Sequence, residues 1–481
     1  MDARIASEKV NHGRRQISFP GLSMVRGQLV GIVLATLCIA SAANAQSPPP
    51  ASPILTLEDA VRLALAKNPT VQAAAAYSQA VREGIAEARA ARMPRVDFSE
   101  GFTRSNNPVY VFGTLLTQQR FNGTDFALDF LNTPPALDNF RTGLSAAAPL
   151  YDGGQMARRI KDAKLSAQSA GETARRTRQE VIFHVIKAYT DILLAQENVR
   201  VAESALKTAT SDLERAQARQ EEGQGVPSDL MSAHVYLAQA QEDFLQSRNA
   251  VEVAGATLSV AMGLPEEAVN NIEPGLEEMK YDAGALAERE HRALTTRPDL
   301  RGFNLGVERA ANGARLARAE FLPKVSAFTA WEEDNETFLS HGGNNWMAGL
   351  TLNFNLFDGG ADRARLAAAH YRQAQARAQA AQMAADVKLQ VREAYLNLTT
   401  AGQRLEVSRH ARSQAEESLR IVQNRYEAGL ATITDLLRVE TARTAAQKNY
   451  LNALFDYRLG CAALELATGE LAEDSPAVRE Q

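Results

Sequence analysis

Cysteine and aromatic residues are scarce: the 481 residues include two Cys, two Trp and 6 % aromatics. Cys38 lies in an N-terminal apolar run that reads as a removable signal. Cys461 is then alone, no intramolecular disulfide can form, and its thiol is expected to pack as a small hydrophobe. Ala35-Thr36-Leu37 lacks the small residue that lipoprotein processing requires before a Cys, so no acylated N-terminus is expected. Neither sign of charge dominates (net charge −5), which gives no reason to expect nucleic acid or an anionic membrane surface as partner. No run of 18 apolar residues follows Ala45, so no transmembrane helix is expected in the mature chain. Catalytic patterns are missing too: there is no Gly-rich phosphate loop, no His-Glu-x-x-His, no Cys pair and no Gly-x-Ser-x-Gly. His184 and His234 fall on helices, where ordinary polar or packed roles are expected. No enzyme, metal or cofactor is expected.

What the chain has instead is alanine and a duplication. Hydrophobic residues reach 45 %, and since few are aromatic the balance is Ala-rich, which favours closely packed helices. Residues 1–45 read as a secretory signal: Arg14, Arg15 and Arg26 precede the run Leu29–Ala43, and Ala43-Asn44-Ala45 ends it. A start at Met24 would give a signal of ordinary size. From there the chain divides into a first repeat (46–262), a linker (263–297), a second repeat (298–468) and a tail (469–481). Leu150-Tyr151-Asp152-Gly153-Gly154 returns as Leu356-Phe357-Asp358-Gly359-Gly360, an offset of 206 residues that holds to Ser228-Asp229-Leu230 and Thr434-Asp435-Leu436. An offset kept over this distance implies a rigid element duplicated whole. Upstream, Ala88-Arg89-Ala90 with Pro94 matches Ala317-Arg318-Ala319 with Pro323 at an offset of 229, so 23 residues are inserted in the first half between Pro94 and Pro149.

In the first repeat Leu55-Thr56-Leu57-Glu58-Asp59-Ala60 opens a short helix with Thr56 as its cap, and each repeat has a helix started by a Pro (Asn68-Pro69 and Arg297-Pro298) and ended by another. Alternation then predicts strands at 95–103 and 140–149, and at 324–332 and 346–356. Trp346, Ala348, Leu350, Leu352, Phe354 and Leu356 share one face of the last. Trp331 and Trp346 flank the second strand-pair loop, where a membrane-interface belt would place them. The first loop, polar and longer, reads as exposed. After Asp152-Gly153-Gly154 and Asp358-Gly359-Gly360 the period becomes helical. Val181, Val185, Ala188, Ile192, Ala195, Val199 and Ala202 begin a 4-3-4-3 stripe that recurs in the second half, broken by Ser408 and Arg412. That period implies a coiled-coil seam along helices at 154–222 and 360–427, each roughly 100 Å long. Return helices are expected at 228–262 and 433–467. The turns carry one motif twice: Arg219, Glu221, Gly223 before Ser228-Asp229, and Arg425, Glu427, Gly429 before Thr434-Asp435. Gly ends one helix, and Ser228 or Thr434 caps the next.

Two strand pairs cannot cross a membrane as an open sheet, because their edge N–H and C=O groups would be unsatisfied in lipid. Four strands are too few to close, whereas three copies would supply twelve, within the range of bacterial outer-membrane barrels. With both Pro-bounded helices, both Asp-Gly-Gly strand exits and both tip motifs in place over residues 54–470, the sequence resembles the TolC-like outer-membrane efflux protein family. The resemblance implies a mostly α protomer whose long hairpins form a coiled-coil periplasmic barrel. Its four strands would join those of two other copies in a trimeric 12-stranded outer-membrane β-barrel.

Such a channel would conduct small molecules passively, from a periplasmic adaptor and an inner-membrane transporter to the exterior. Adaptor contacts would fall to Arg219, Glu221, Gly223, Arg425, Glu427 and Gly429. A gate would be linked by Tyr426, Ser228 and Asp229, with Asp435 in an acidic ring. Ala431 and Arg438 depart from the family pattern, which implies fewer links and weaker cation selection. Type I protein secretion uses the same component. A periplasmic coiled-coil adaptor or scaffold is the rival from another class, but it does not need two amphipathic strand pairs.

Overall fold

The computed structural model describes residues 54–479 except 224, 266–271, 274 and 339. The expected signal, with Met24 and Cys38, lies outside the described residues.

Thr56 caps α1 (Leu57–Lys67) by accepting the Asp59 N–H. Asn68 caps α2 (Pro69–Ala90), whose Pro occupies the first turn, where a missing N–H costs nothing. β1 (Arg95–Ser105) follows, and then the insertion folds. It contains α3 (Pro108–Thr117), a 3-10 turn at Gly123–Phe126 and α4 (Leu128–Asn132) where an open polar loop was expected. Val111 and Leu115 are buried there, and α3 packs against β2, β3 and β4. β2 (Leu137–Tyr151) is longer than the pattern suggested. α5 (Gln155–Glu221) and α6 (Pro227–Met262) make the first hairpin.

The second half repeats this order with α7 (Leu286–Thr296), α8 (Pro298–Ala319), β3 (Lys324–Asn335), β4 (Gly343–Asn353), α9 (Ala361–Glu427) and α10 (Ile433–Thr468). α5 and α9 have 67 residues each, and α6 and α10 have 36 each, so the duplicated rods match in length. The segment expected as a linker contains α7, which stands to α8 as α1 stands to α2. β4 ends at Asn353, short of Phe354 and Leu356.

The restart of each second helix shows how two different residues do one job. The Asn68 amide donates to the Ala261 carbonyl at 2.8 Å, tying the restart to the end of α6. At the equivalent place Arg297 donates to the Ala467 carbonyl at 3.2 Å. This guanidinium is 1 % exposed, and Asp299 at 2.5 Å and the Gln390 side chain at 2.7 Å satisfy it. A buried Arg is tolerable only with such partners.

The four strands form one antiparallel sheet in the order β1-β2-β3-β4. Leu144 of β2 faces Trp331 of β3, which faces Trp346 of β4, so the apolar face of one half continues into the other. β1 and β4 are left as open edges. Below the sheet α5 packs against α2, α8 and α6, while α9 packs against α8 and α10. The largest core gathers α1, the middle of α5, the ends of α6 and α10, and the tail residues Leu471 and Val478. Cys461 is buried in the neighbouring core beside Val387 and Leu398. The long-helix stripe points inward: Val185, Ala188, Ile192 and Ala202 are buried, as are Val391, Leu398 and Ala401. The break at Arg412 is absorbed because its guanidinium lies 4.4 Å over the Tyr450 ring.

Asp-Gly-Gly turns strand into helix by the same device in both halves. Asp152 accepts the N–H of Gly154 at 3.0 Å and that of Met156, and Asp358 accepts from Gly360 at 3.0 Å and Asp362 at 2.6 Å. All four glycines have φ between 67° and 91°, which only Gly adopts cheaply. Their surroundings differ. A Cβ on Gly153 would lie 2.7 Å from Leu322 Cβ and 2.9 Å from the Ala319 carbonyl, whereas one on Gly359 would meet nothing within 4 Å. Gly359→Ala should therefore cost only the left-handed backbone, about 1–2 kcal/mol. Gly153→Ala should cost a further ~1–3 kcal/mol for the overlap. Thermal unfolding of the purified variants measures this; equal losses would mean that the α8 contact does not constrain the junction.

Candidate functional site: the hairpin tips

Away from the sheet the two hairpins end side by side, and a small core joins them: Ala216, Ala233, Tyr426, Ile433 and Leu436 are buried together. Gly223 and Gly429 both have φ of 74° and end the long helices. The next helices start earlier than the Ser/Thr-Asp pattern indicated, so the caps are not Ser228 and Thr434. Pro227 opens α6 behind Val226, and Thr432 caps α10. Asp435 completes a capping box, since its carboxylate accepts the Thr432 N–H at 3.3 Å while its own N–H donates to the Thr432 hydroxyl at 3.2 Å; that hydroxyl also donates to the carboxylate at 2.8 Å. Those bonds, with Arg438 at 3.3 Å, hold the Asp435 carboxyl below the usual carboxylate range.

Tyr426 is 4 % exposed, and it joins the hairpins. The Arg219 guanidinium of α5 lies 4.2 Å over its ring and donates to its carbonyl at 3.1 Å. Burial pushes the Tyr426 hydroxyl up, against the lowering effect of Arg219. Arg219, expected to face an outside partner, is thus turned inward and half-buried, because the aromatic face offers it more than solvent does. Glu221, Gly223, Arg425, Glu427 and Gly429 are exposed at the tips, as is Ser228; Asp229 is half-buried and faces Tyr426.

One turn further in lies a cluster that the sequence reading missed. Asp212 of α5 is 1 % exposed and Glu440 of α10 is 5 % exposed, and they face each other across the hairpin interface. Arg215 pairs with Asp212 and reaches Glu427 at 3.9 Å; Tyr236 of α6 and Arg443 of α10 complete the surroundings. Burial, and then the Asp212 carboxyl, push Glu440 up to about 8. Asp212 Oδ2 and Glu440 Oε2 are buried with no other donor, so a proton shared between the two carboxyls is the bond open to them. The signal was there to read: Ile433 and Leu436 begin an inward stripe, and Glu440 continues it with an acid where an apolar residue belongs.

At the other end Trp331 and Trp346 stand opposite each other in one row of the sheet. Trp346 is exposed, in line with Leu350 and Leu352. Among the described residues no helix is long and apolar enough to cross a membrane.

The family described as "Outer membrane efflux protein" matches residues 60–264 and 291–470. The alkaline protease secretion protein AprF of Pseudomonas aeruginosa is 27 % identical over 428 residues, covering 87 % of this chain and 85 % of that one. The pyoverdine export outer membrane protein OpmQ of Pseudomonas putida is 24 % identical over 351 residues, covering 71 % and 73 %. Among solved structures, the Campylobacter jejuni CmeC outer membrane channel superposes with a TM-score of 0.74 at 15 % identity, covering 87 % of each chain. The chain therefore belongs to the outer membrane efflux protein family, with the fold of the trimeric TolC-like channel-tunnels: it is an outer-membrane efflux channel of a tripartite export system, its strands in the outer membrane and its helical part in the periplasm.

Proposed function

We propose that three copies close edge to edge, β4 of one against β1 of the next, into a passive conduit for small molecules, gated at the hairpin tips. The observation that carries this reading is a four-stranded sheet with an apolar face and two unpaired edges, continued by two matched helices of 67 residues. An open edge in lipid leaves its N–H and C=O groups without partners, and closure with neighbours supplies them. Tyr426, Ser228 and Asp229 act as links at the gate, and Asp435 contributes to an acidic ring. Asp435 is already held ionised by its capping box, so a ring of such groups at the entrance stays negative. Glu221, Arg425 and Glu427, with the turns at Gly223 and Gly429, form the surface that a periplasmic adaptor grips, and the adaptor brings an inner-membrane pump.

The test is electrical and cellular together. Purified protein in planar bilayers should give discrete conductance steps from heat-stable trimers, and cells lacking the gene should accumulate pump substrates. Monomers without conductance would refute the reading. A second reading, type I protein secretion, is favoured by the likeness to AprF, whose name describes protease secretion. In-cell cross-linking from Glu221 and Glu427 identifies the attached pump: a partner that carries proteins establishes secretion, and a drug or metabolite pump establishes efflux.

A further inference from the structure

The folded insertion after β1 is fastened to one particular face of the sheet. Side chains alternate along a strand, so Asn139 and Arg141 of β2, Asp334 of β3 and Gly343 of β4 lie on the face opposite to Leu144, Trp331, Trp346 and Leu350. With the apolar face toward lipid, theirs is the lumen face. The end of α3 is attached there. Gln118 donates to Asn139 Oδ1 at 2.8 Å and to the Asp138 carbonyl at 2.9 Å. Asn139 donates to Asp334 Oδ1 at 2.5 Å, and the same oxygen takes Arg141 Nε at 2.9 Å. Gln118, Asn139 and Asp334 are all buried, so the chain of bonds is costly to break.

Two further contacts hold the segment. A Cβ on Gly343 would overlap the Thr117 carbonyl oxygen, so β4 begins with Gly where the helix end presses on it. Arg120 pairs with Glu336 at 2.7 Å, which ties the insertion to the loop after β3. Edge-to-face contacts of Phe112 with Phe121 and of Phe121 with Phe126 make the segment a folded body rather than a loose loop.

We propose that residues 108–134 form a lumenal cap, one per copy, which narrows the outer mouth of the barrel and sets the upper size of what leaves. This rests on the three-copy barrel proposed above. The second half has no counterpart to this cap: only seven positions separate β3 from β4.

The test places a thiol beneath the cap. Ser145→Cys puts it on the lumen face, and the native Cys461 is buried. Intact cells are treated with a small membrane-impermeant maleimide and with a bulky polyethylene-glycol maleimide. Both should label a variant whose residues 108–134 are replaced by a short Gly-Ser turn. With the cap present the small reagent should still label, while the bulky one slows by about tenfold or more. Gln118→Ala with Asn139→Ala, which loosens the cap without deleting it, should give the same relief if the deletion does not assemble. Equal bulky labelling with and without the cap overturns the proposal, as does failure of the small reagent to reach Ser145→Cys. Heat-stable trimers of Ser145→Cys, scored on the same samples, separate these results from a failure of the barrel itself.

Discussion

Tyr426→Ala is expected to open the periplasmic end, raising the conductance of purified channels in planar bilayers severalfold over the closed level. The ring is the largest side chain in the small core that joins the hairpins, and it is buried against α5 and α10. Truncating a buried aromatic costs about 3–5 kcal/mol. The stacked Arg219 adds ~0.5–2 kcal/mol. A tip cohering through so few groups cannot lose that much and keep its geometry. Tyr426→Phe keeps the ring and the stack, so it should stay closed if the ring carries the contact and leak if the hydroxyl does. Asp229→Ala combined with Tyr426→Ala should conduct at least as well as Tyr426→Ala alone. Closed-level conductance in the double variant would remove Tyr426 and Asp229 from the gate.

Glu440 sets a pH dependence of the same interface. Its carboxyl titrates at about 8 in the folded chain against 4.5 ordinarily, raised by burial and by Asp212. Between those values the native state holds a proton that the unfolded state has released. Stability is therefore highest below about pH 4.5 and falls as pH rises through about 8. Above that, two carboxylates face each other across the hairpins, with Arg215 and Arg443 only partly offsetting them. Glu440→Gln keeps the hydrogen bond and cannot ionise. It should match the wild type at about pH 4 and exceed it by about 2 kcal/mol at about pH 8.5. That is less than the full shift would supply, because Arg215, paired with Asp212, offsets part of the repulsion. Hydrogen exchange around residues 212 and 440 at the two pH values reads the difference. Parallel pH profiles of variant and wild type would show that the carboxyls do not share a proton.

How far the sequence could be read differs from element to element. The 4-3-4-3 stripe from Val181 onward is local, since each residue needs only the backbone period to face the same way. Both long helices and their equal lengths were therefore legible. So were the strand exits, because Asp-Gly-Gly meets a demand for left-handed backbone that only its own residues can satisfy. α7 was not legible: its lead-in lacks the Thr cap of α1, and Arg297 stands where Asn68 does, its guanidinium paired with Asp299 and donating to Gln390, which is distant in the chain. The insertion looked like a loop because its Asn, Thr, Gly and Pro mask a few buried apolar residues, on a helix that packs against β2, β3 and β4 further along the chain.

The sequence by itself determined the rods, the strands, the turns and the family, all set by short-range periodicity, capping and backbone freedom. Only the tertiary structure decided which rods touch and what lies between them. It set the register that brings Leu144, Trp331 and Trp346 into one row, turned Arg219 inward onto Tyr426, placed Asp212 against Glu440 and pinned Gln118 to Asn139 on the sheet face opposite that row. Most of these pairs join residues that are far apart in the chain. Their contacts depend on packing and burial, which a local pattern does not encode, and the proposed gate, its pH response and the proposed cap are built from them.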